Sequence, residues 1–267
     1  MNIERLRIII QYSDRNREDI ESKVKNFYSF AGMSSDKEVL NIMQIARPSF
    51  LRKGYLVLEL PLNDKEIGAL MFKGDALGYI VLNTSIPKVN VNFAICHELY
   101  HVFYQKSEFG SKVEFADEHY YEHEEEYAAN LFAGMLLMPE ASFRFMYSKF
   151  LKESADQMQD TMIRLMNYYQ APYMSVVIRC YELGLIGTDT IPEELMNLNK
   201  DSIRKKFADL WLDHSILDAT GKDDYVQLEM LIESLGQEYM KDSYLNERTL
   251  KKVLQNMRAL YSEIKGA

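Results

Sequence analysis

One stretch limits what this chain can fold into more than any other: Phe93-Ala94-Ile95-Cys96-His97-Glu98-Leu99-Tyr100-His101-Val102-Phe103-Tyr104. It is apolar apart from His97, Glu98 and His101. A run this apolar is not a solvent-facing helix, so it predicts a helix held inside a core. The histidines stand four residues apart. On an α-helix that spacing puts both imidazoles on one face, one turn apart. Burying two imidazoles and a carboxylate together is costly unless something binds them. A metal ion would: His97 and His101 ligate it, and Glu98 reaches a water beside it as the base. This is the HExxH pattern of zinc peptidases. The bland alternative, a core helix with hydrogen-bonded histidines, leaves the carboxylate unexplained.

A hydrolytic zinc site takes three protein ligands and keeps its fourth position open. The metzincin arrangement would supply the third from a histidine shortly after a glycine. Gly110 has no histidine at that distance. A glutamate on a second helix is the alternative, and Glu126 is the candidate. It opens the apolar run 126–138, which Pro139 stops, and Asn130 lies one turn on, where it can orient an imidazole. Glu122, Glu124 and Glu125 compete with it at the polar edge, where a solvated charge run is the plainer reading. Residues 107–125 are dense in Asp and Glu and read as a solvated loop or a flap. For His119 and His123, within that polar stretch, surface histidines are expected. Tyr127, Tyr104, His119 and His123 are the candidates for stabilising an oxyanion.

The rest of the chain reads as α+β. Helical spacing is expected over 15–30, and over 37–46 with Pro48 as the stop. The period then changes to strands over 55–60, 67–72 and 78–82, with Gly74-Asp75 turning between the last two. Pro87 suits the entrance to the HExxH helix. A helix follows over 140–150. Residues 154–186 read as helix, turn at 169–172, helix, with Gly184 as the cap. A polar linker near 188–192 precedes helices over 200–212, 225–240 and 247–265. The expected division is a metallopeptidase unit over 1–153, a helix-turn-helix-like unit over 154–187 and a helical region over 188–267.

Three motifs in order resemble the ImmA/IrrE family of bacterial metallopeptidases. They are His97-Glu98-Leu99-Tyr100-His101, then Glu126-Tyr127-Ala128-Ala129-Asn130-Leu131-Phe132-Ala133, then Leu136-Leu137-Met138-Pro139. The strand Tyr79-Ile80-Val81-Leu82-Asn83 also matches, and the resemblance runs from about Tyr55 to Ile186. It implies a gluzincin-like peptidase core with a small antiparallel or mixed sheet, Zn2+ as cofactor, and Glu126 as third ligand. It also implies a substrate class, since similar proteins cleave helix-turn-helix repressors and so release mobile-element or stress genes. The family more often has Gly where Tyr100 stands, so a bulky side chain there is expected to shape the cleft.

Charge and composition narrow the partners. A net charge of −9 argues against a protein built mainly to grip nucleic acid. Over 173–183, where a DNA-reading helix would need several polar and basic side chains, Arg179 is essentially alone. Direct DNA binding is therefore not expected, and a protein substrate is. Cys96 and Cys180 sit deep in apolar runs, and no apolar run reaches membrane-spanning length. The expected location is the cytoplasm, and residues past Gly187 are expected to serve docking or stability. The competing function is a regulatory binding protein, such as the partner of a toxin or repressor, with a structural or relict metal site.

Overall fold

The structure, a computed structural model, describes residues 3–34, 39, 41–73, 78–105, 124–187 and 193–266. The Gly74-Asp75 turn, Gly110, His119, Glu122, His123 and the 188–192 linker lie outside them.

Helix α1 (Ile3–Ala31) buries Leu6, Ile10, Ser13, Ile20, Val24 and Phe27. These positions recur at helical spacing from one end to the other. The helix therefore starts well before Arg15, where the sequence reading placed it; Glu4, Arg5 and Arg7 hide the first turns of its stripe. Helix α2 (Ile42–Arg52) runs through Pro48 rather than ending before it. The proline removes one bond to the Gln44 carbonyl. Burial of Ala46, Ser49 and Phe50 around it outweighs that loss.

Three strands follow: β1 (Tyr55–Leu60), β2 (Ala69–Lys73) and β3 (Gly78–Asn83). They form one mixed sheet in the order β1-β3-β2, with β1 parallel and β2 antiparallel to β3. Val57 and Met71 both stand opposite Ile80 on the inner face. Asn83 ends β3 completely buried. Its Oδ1 accepts from the Leu62 and Ser85 amides, and its Nδ2 donates to the Asp64 and Ile67 carbonyls. Four bonds from one side chain fix the chain reversal that delivers the next helix.

That helix is α3 (Lys88–Tyr104), entered through Pro87. It packs against α2, β2 and β3, and most extensively against α4 (Glu124–Leu137). Ala128, Ala129, Ala133 and Gly134 on α4 are small and buried, which permits the close approach. Helix α5 (Glu140–Glu153) begins after Pro139.

Helices α6 (Met158–Tyr169) and α7 (Tyr173–Glu182) are joined by Gln170 in the left-handed region, at φ 48°, and by Pro172. No residue of α7 is exposed. Its Arg179 is buried, donating to the Met138 carbonyl at 3.1 Å and to Glu182 at 3.0 Å. Helices α8 (Glu193–Met196) and α9 (Lys200–Asp209) and a 3-10 turn at His214–Leu217 come next. Leu195, Phe207, Ile216 and Leu217 belong to the same core cluster as Ile95 and Leu99 of α3. The core thus runs without interruption across the boundaries drawn at 153/154 and 187/188.

Helices α10 (Tyr225–Lys241) and α11 (Glu247–Lys265) form an antiparallel hairpin. Tyr225 stacks on Tyr261 at 3.8 Å, and Gly236 lies against Leu250. Leu228, Met257, Tyr261 and Ile264 cover Leu58 and Leu60 on the outer face of the sheet. The lead-in to the hairpin also closes the free edge of β1. The Asp224 amide bonds the Glu59 carbonyl, and the Glu59 amide bonds the Asp224 carboxylate, both at 2.9 Å. Among the described residues no helix is long and apolar enough to cross a membrane.

Candidate metal centre

Two elements build the centre, and each carries its polar groups on an otherwise apolar helix. His97 and His101 lie one turn apart on α3, with ring centroids 4.7 Å apart and ring planes tilted by 58°. Glu126 comes from the first turn of α4. Its carboxylate oxygens lie 3.2 Å from His97 Nε2 and 3.4 Å from His101 Nε2. The two Nε2 atoms are 2.8 Å apart. Among the described residues this is the group of His, Cys, Asp and Glu donors that can hold a metal ion.

The outward-facing ring nitrogens decide what the inward-facing ones can do. His97 Nδ1 meets the Asn130 amide oxygen at 3.1 Å, and His101 Nδ1 meets the Gln105 amide oxygen at 2.8 Å. An amide oxygen only accepts, so each Nδ1 carries its proton and each neutral imidazole turns a bare lone pair inward. Two lone pairs and a carboxylate then face one another at hydrogen-bond distance, which calls for a positive charge between them. Burial alone would lower the pKa of His97, but the Glu126 and Glu98 carboxylates and Asn130 hold it above its ordinary 6.5. Burial and the neighbouring His97 push His101 down to about 4. A proton on one ring therefore disfavours a proton on the other.

The donor set fits zinc. Tetrahedral zinc with bonds of about 2.0–2.1 Å needs donors roughly 3.3 Å apart. The observed separations lie on both sides of that distance. Two imidazoles and one carboxylate also form a known hydrolytic zinc set that leaves a position open.

Glu98 is adjacent to His97 and turned about 100° from it around the helix. It is half-buried and its charge acts on His97, yet it is not among the three clustered donors. Of the competitors for the third ligand position, Glu124 is exposed and Glu125 partly exposed, and neither joins the cluster. The start of β2 runs beside this side of α3: a Cβ built on Gly68 would lie 3.1 Å from Ala94 Cβ.

The tyrosines take different places. Tyr104 donates its hydroxyl to the Lys23 carbonyl at 2.6 Å, and Tyr127 stacks on Tyr12 at 5.4 Å. Tyr100 is buried among Phe132, Tyr104 and His101, and its hydroxyl accepts from Lys23 at 3.4 Å. From its position on α3 it faces α1 and α4, with its ring edge-on to His101. Gln105 escaped the sequence reading. The signal was there, since it stands four residues after His101, the same spacing that relates the two histidines.

Residues 51–181 match the family model of the IrrE N-terminal-like domain, peptidase family M78. This part of the chain belongs to the ImmA/IrrE family. The matched span starts in the last turn of α2 and ends in α7, so it holds the whole sheet, α3, α4 and every residue of the donor cluster. The ImmA/IrrE match makes this domain a metallopeptidase-type hydrolase. All of α1, most of α2 and everything from Glu182 onward fall outside the matched span. No curated protein matches the chain.

Proposed function

We propose that the protein is a zinc endopeptidase that cuts a helix-turn-helix repressor and thereby releases mobile-element or stress genes. The observation that carries this reading is Glu98 standing beside, and not within, the His97, His101 and Glu126 cluster. A purely structural site has no use for a carboxylate in that place.

His97, His101 and Glu126 would hold the ion, with Asn130 and Gln105 fixing the two rings. When bound, zinc supplies Lewis acidity, polarising the scissile carbonyl and acidifying the attacking water. Glu98 takes the proton from that water as the carbonyl is attacked and returns it to the departing amine. The peptide lies extended along the outer edge of β2, pairing with its backbone, because that strand borders α3 on the side of Ala94.

Other features support the choice of partner. The substrate class follows the ImmA/IrrE resemblance. Helix α7, the place for a DNA-reading helix, offers no exposed residue, and the net charge of −9 disfavours a nucleic-acid grip. The two cysteines are free and buried, in keeping with the reducing cytoplasm.

The deciding experiment compares wild type with Glu98→Gln on purified helix-turn-helix repressors from the same genome, any encoded beside this gene first, with zinc content measured in both. Glu98→Gln should keep its zinc and its fold. Cleavage should fall by a factor on the order of 10² to 10⁴, the usual share of general acid–base catalysis. Equal cleavage at equal zinc rules out Glu98 as the base. Full biological effect with no cleavage by wild type would establish a metal-stabilised binding protein instead.

A further inference from the structure

The two imidazoles of the centre are held by different kinds of partner. Asn130 reaches His97 from α4, so the orientation of His97 depends on how two helices pack. Gln105 reaches His101 from the same helix, at the point where α3 ends. Its backbone turns to extended geometry there, at φ −65° and ψ 128°. Its own amide N–H closes the last turn on the His101 carbonyl at 3.3 Å, and its side-chain oxygen accepts from His101 Nδ1 at 2.8 Å. One residue thus grips both the main chain and the ring of His101.

We propose that Gln105 is the positioning residue for His101: it selects the Nδ1–H tautomer and aims the Nε2 lone pair at the metal. The inference rests on the zinc reading above and adds a residue to it. Burial gives the contact its weight. The His101 side chain is only 5% exposed, so bulk water cannot replace the Gln105 oxygen. Without an acceptor at Nδ1, the proton is free to move to Nε2, where it blocks ligation. The requirement is for an acceptor at this place, not for helix-end packing, and that distinction can be measured.

Zinc affinity of the metal-free full-length protein should be measured by chelator competition for wild type, Gln105→Met and Gln105→Glu. Methionine keeps the length and apolar stem but offers no comparable acceptor; glutamate restores one. Gln105→Met should bind zinc about 10- to 100-fold more weakly, the usual effect of losing a partner of a ligating histidine. Gln105→Glu should stay within about threefold of wild type or bind more tightly. Nitrogen-15 imidazole spectra of metal-free wild type should show His101 protonated at Nδ1, a readout that a helix-capping role would not move. Gln105→Met binding as tightly as wild type overturns the proposal, and so does an Nε2–H tautomer at His101 in wild type. Should Gln105→Met fail to fold, the glutamate variant and the wild-type spectrum still decide. A wild type that binds no zinc overturns the zinc reading and the ligand half of this proposal with it, while the spectrum still tests the Gln105–His101 bond.

Discussion

Glu125 and Glu126 are neighbours with one chemistry and two situations. A helix turns about 100° per residue, so only one of them can point at α3. Glu126 does, within 3.4 Å of both histidines, and Glu125 stays partly in solvent. Glu126→Ala should therefore cost zinc affinity more than the roughly 10–100-fold expected of an outer partner. Glu125→Ala should leave it near wild type. Metal content after dialysis against a weak chelator checks this, and retention by Glu126→Ala with loss by Glu125→Ala would reverse the assignment. At this scale much was legible beforehand. The i, i+4 histidines and the apolar run around them announce a shared face, and Asn130 follows from one-turn spacing after Glu126. Gln105 carries the same one-turn signal, four residues after His101, but a lone Gln at the polar end of a helix reads as surface. The contacts of Tyr100 with α1 and α4 were not legible, because the facing of a residue depends on which neighbours surround the helix.

Elements were legible where the apolar period is strong and misread where one residue type dominates the local signal. Pro48 reads as a stop, yet Phe50 pulls α2 through it into the core. The charged start of α1 reads as exposed chain, yet Leu6 and Ile10 continue its stripe. Glycine gives a sharper test in the sheet. A Cβ on Gly78 would lie 2.3 Å from the Tyr55 ring across the β1–β3 pairing. Tyr55 is buried and cannot swing away freely. Gly78→Ala should destabilise by about 1–3 kcal/mol, the usual cost of overpacking, read from chemical denaturation; an unchanged midpoint would show that the ring has room to move. The hairpin supplies a pH test. Asp223 is partly buried, which alone would raise its pKa. The Tyr261 hydroxyl, the Tyr225 amide and Lys265 outweigh that and hold it below its ordinary 3.8. A carboxyl depressed in the folded state stabilises above its unfolded pKa and loses that contribution as pH falls through the folded value. Wild type should therefore exceed Asp223→Asn in stability by a constant margin above about pH 5, and the margin should shrink below pH 4. A margin that grows on acidification would contradict the sign.

At the scale of the molecule, one core cluster takes in residues from before and after the 188–192 stretch, and a second cluster holds the hairpin against the sheet. Polar residues near 188–192 look like a linker, and composition alone cannot show that the chain returns to bury itself afterwards. Leu195, Phe207 and Ile216 are at most 2% exposed and share a core with α3, the helix that carries His97 and His101. The 3-10 turn carrying Ile216 packs directly on α3. Burying one such side chain fully is worth about 1.5–3 kcal/mol, and domains of this kind hold only about 5–15 kcal/mol in all. Removing every residue after Gly187 therefore takes away a large share of the stability, and it also opens the β1 edge that Asp224 closes. Such a truncated chain should lose its cooperative thermal transition, and its zinc with it. Because truncation is a blunt change, Phe207→Ala is the cleaner measurement. It lies on α9, outside the matched family span and away from the donors. It should cost about 3–5 kcal/mol by leaving a cavity, and the variant should release zinc at a correspondingly lower temperature while binding it normally in the cold. A chain ending at Gly187 that melts cooperatively like wild type, or a Phe207→Ala protein with an unchanged melting temperature, would mean that the C-terminal helices rest on the peptidase core without stabilising it.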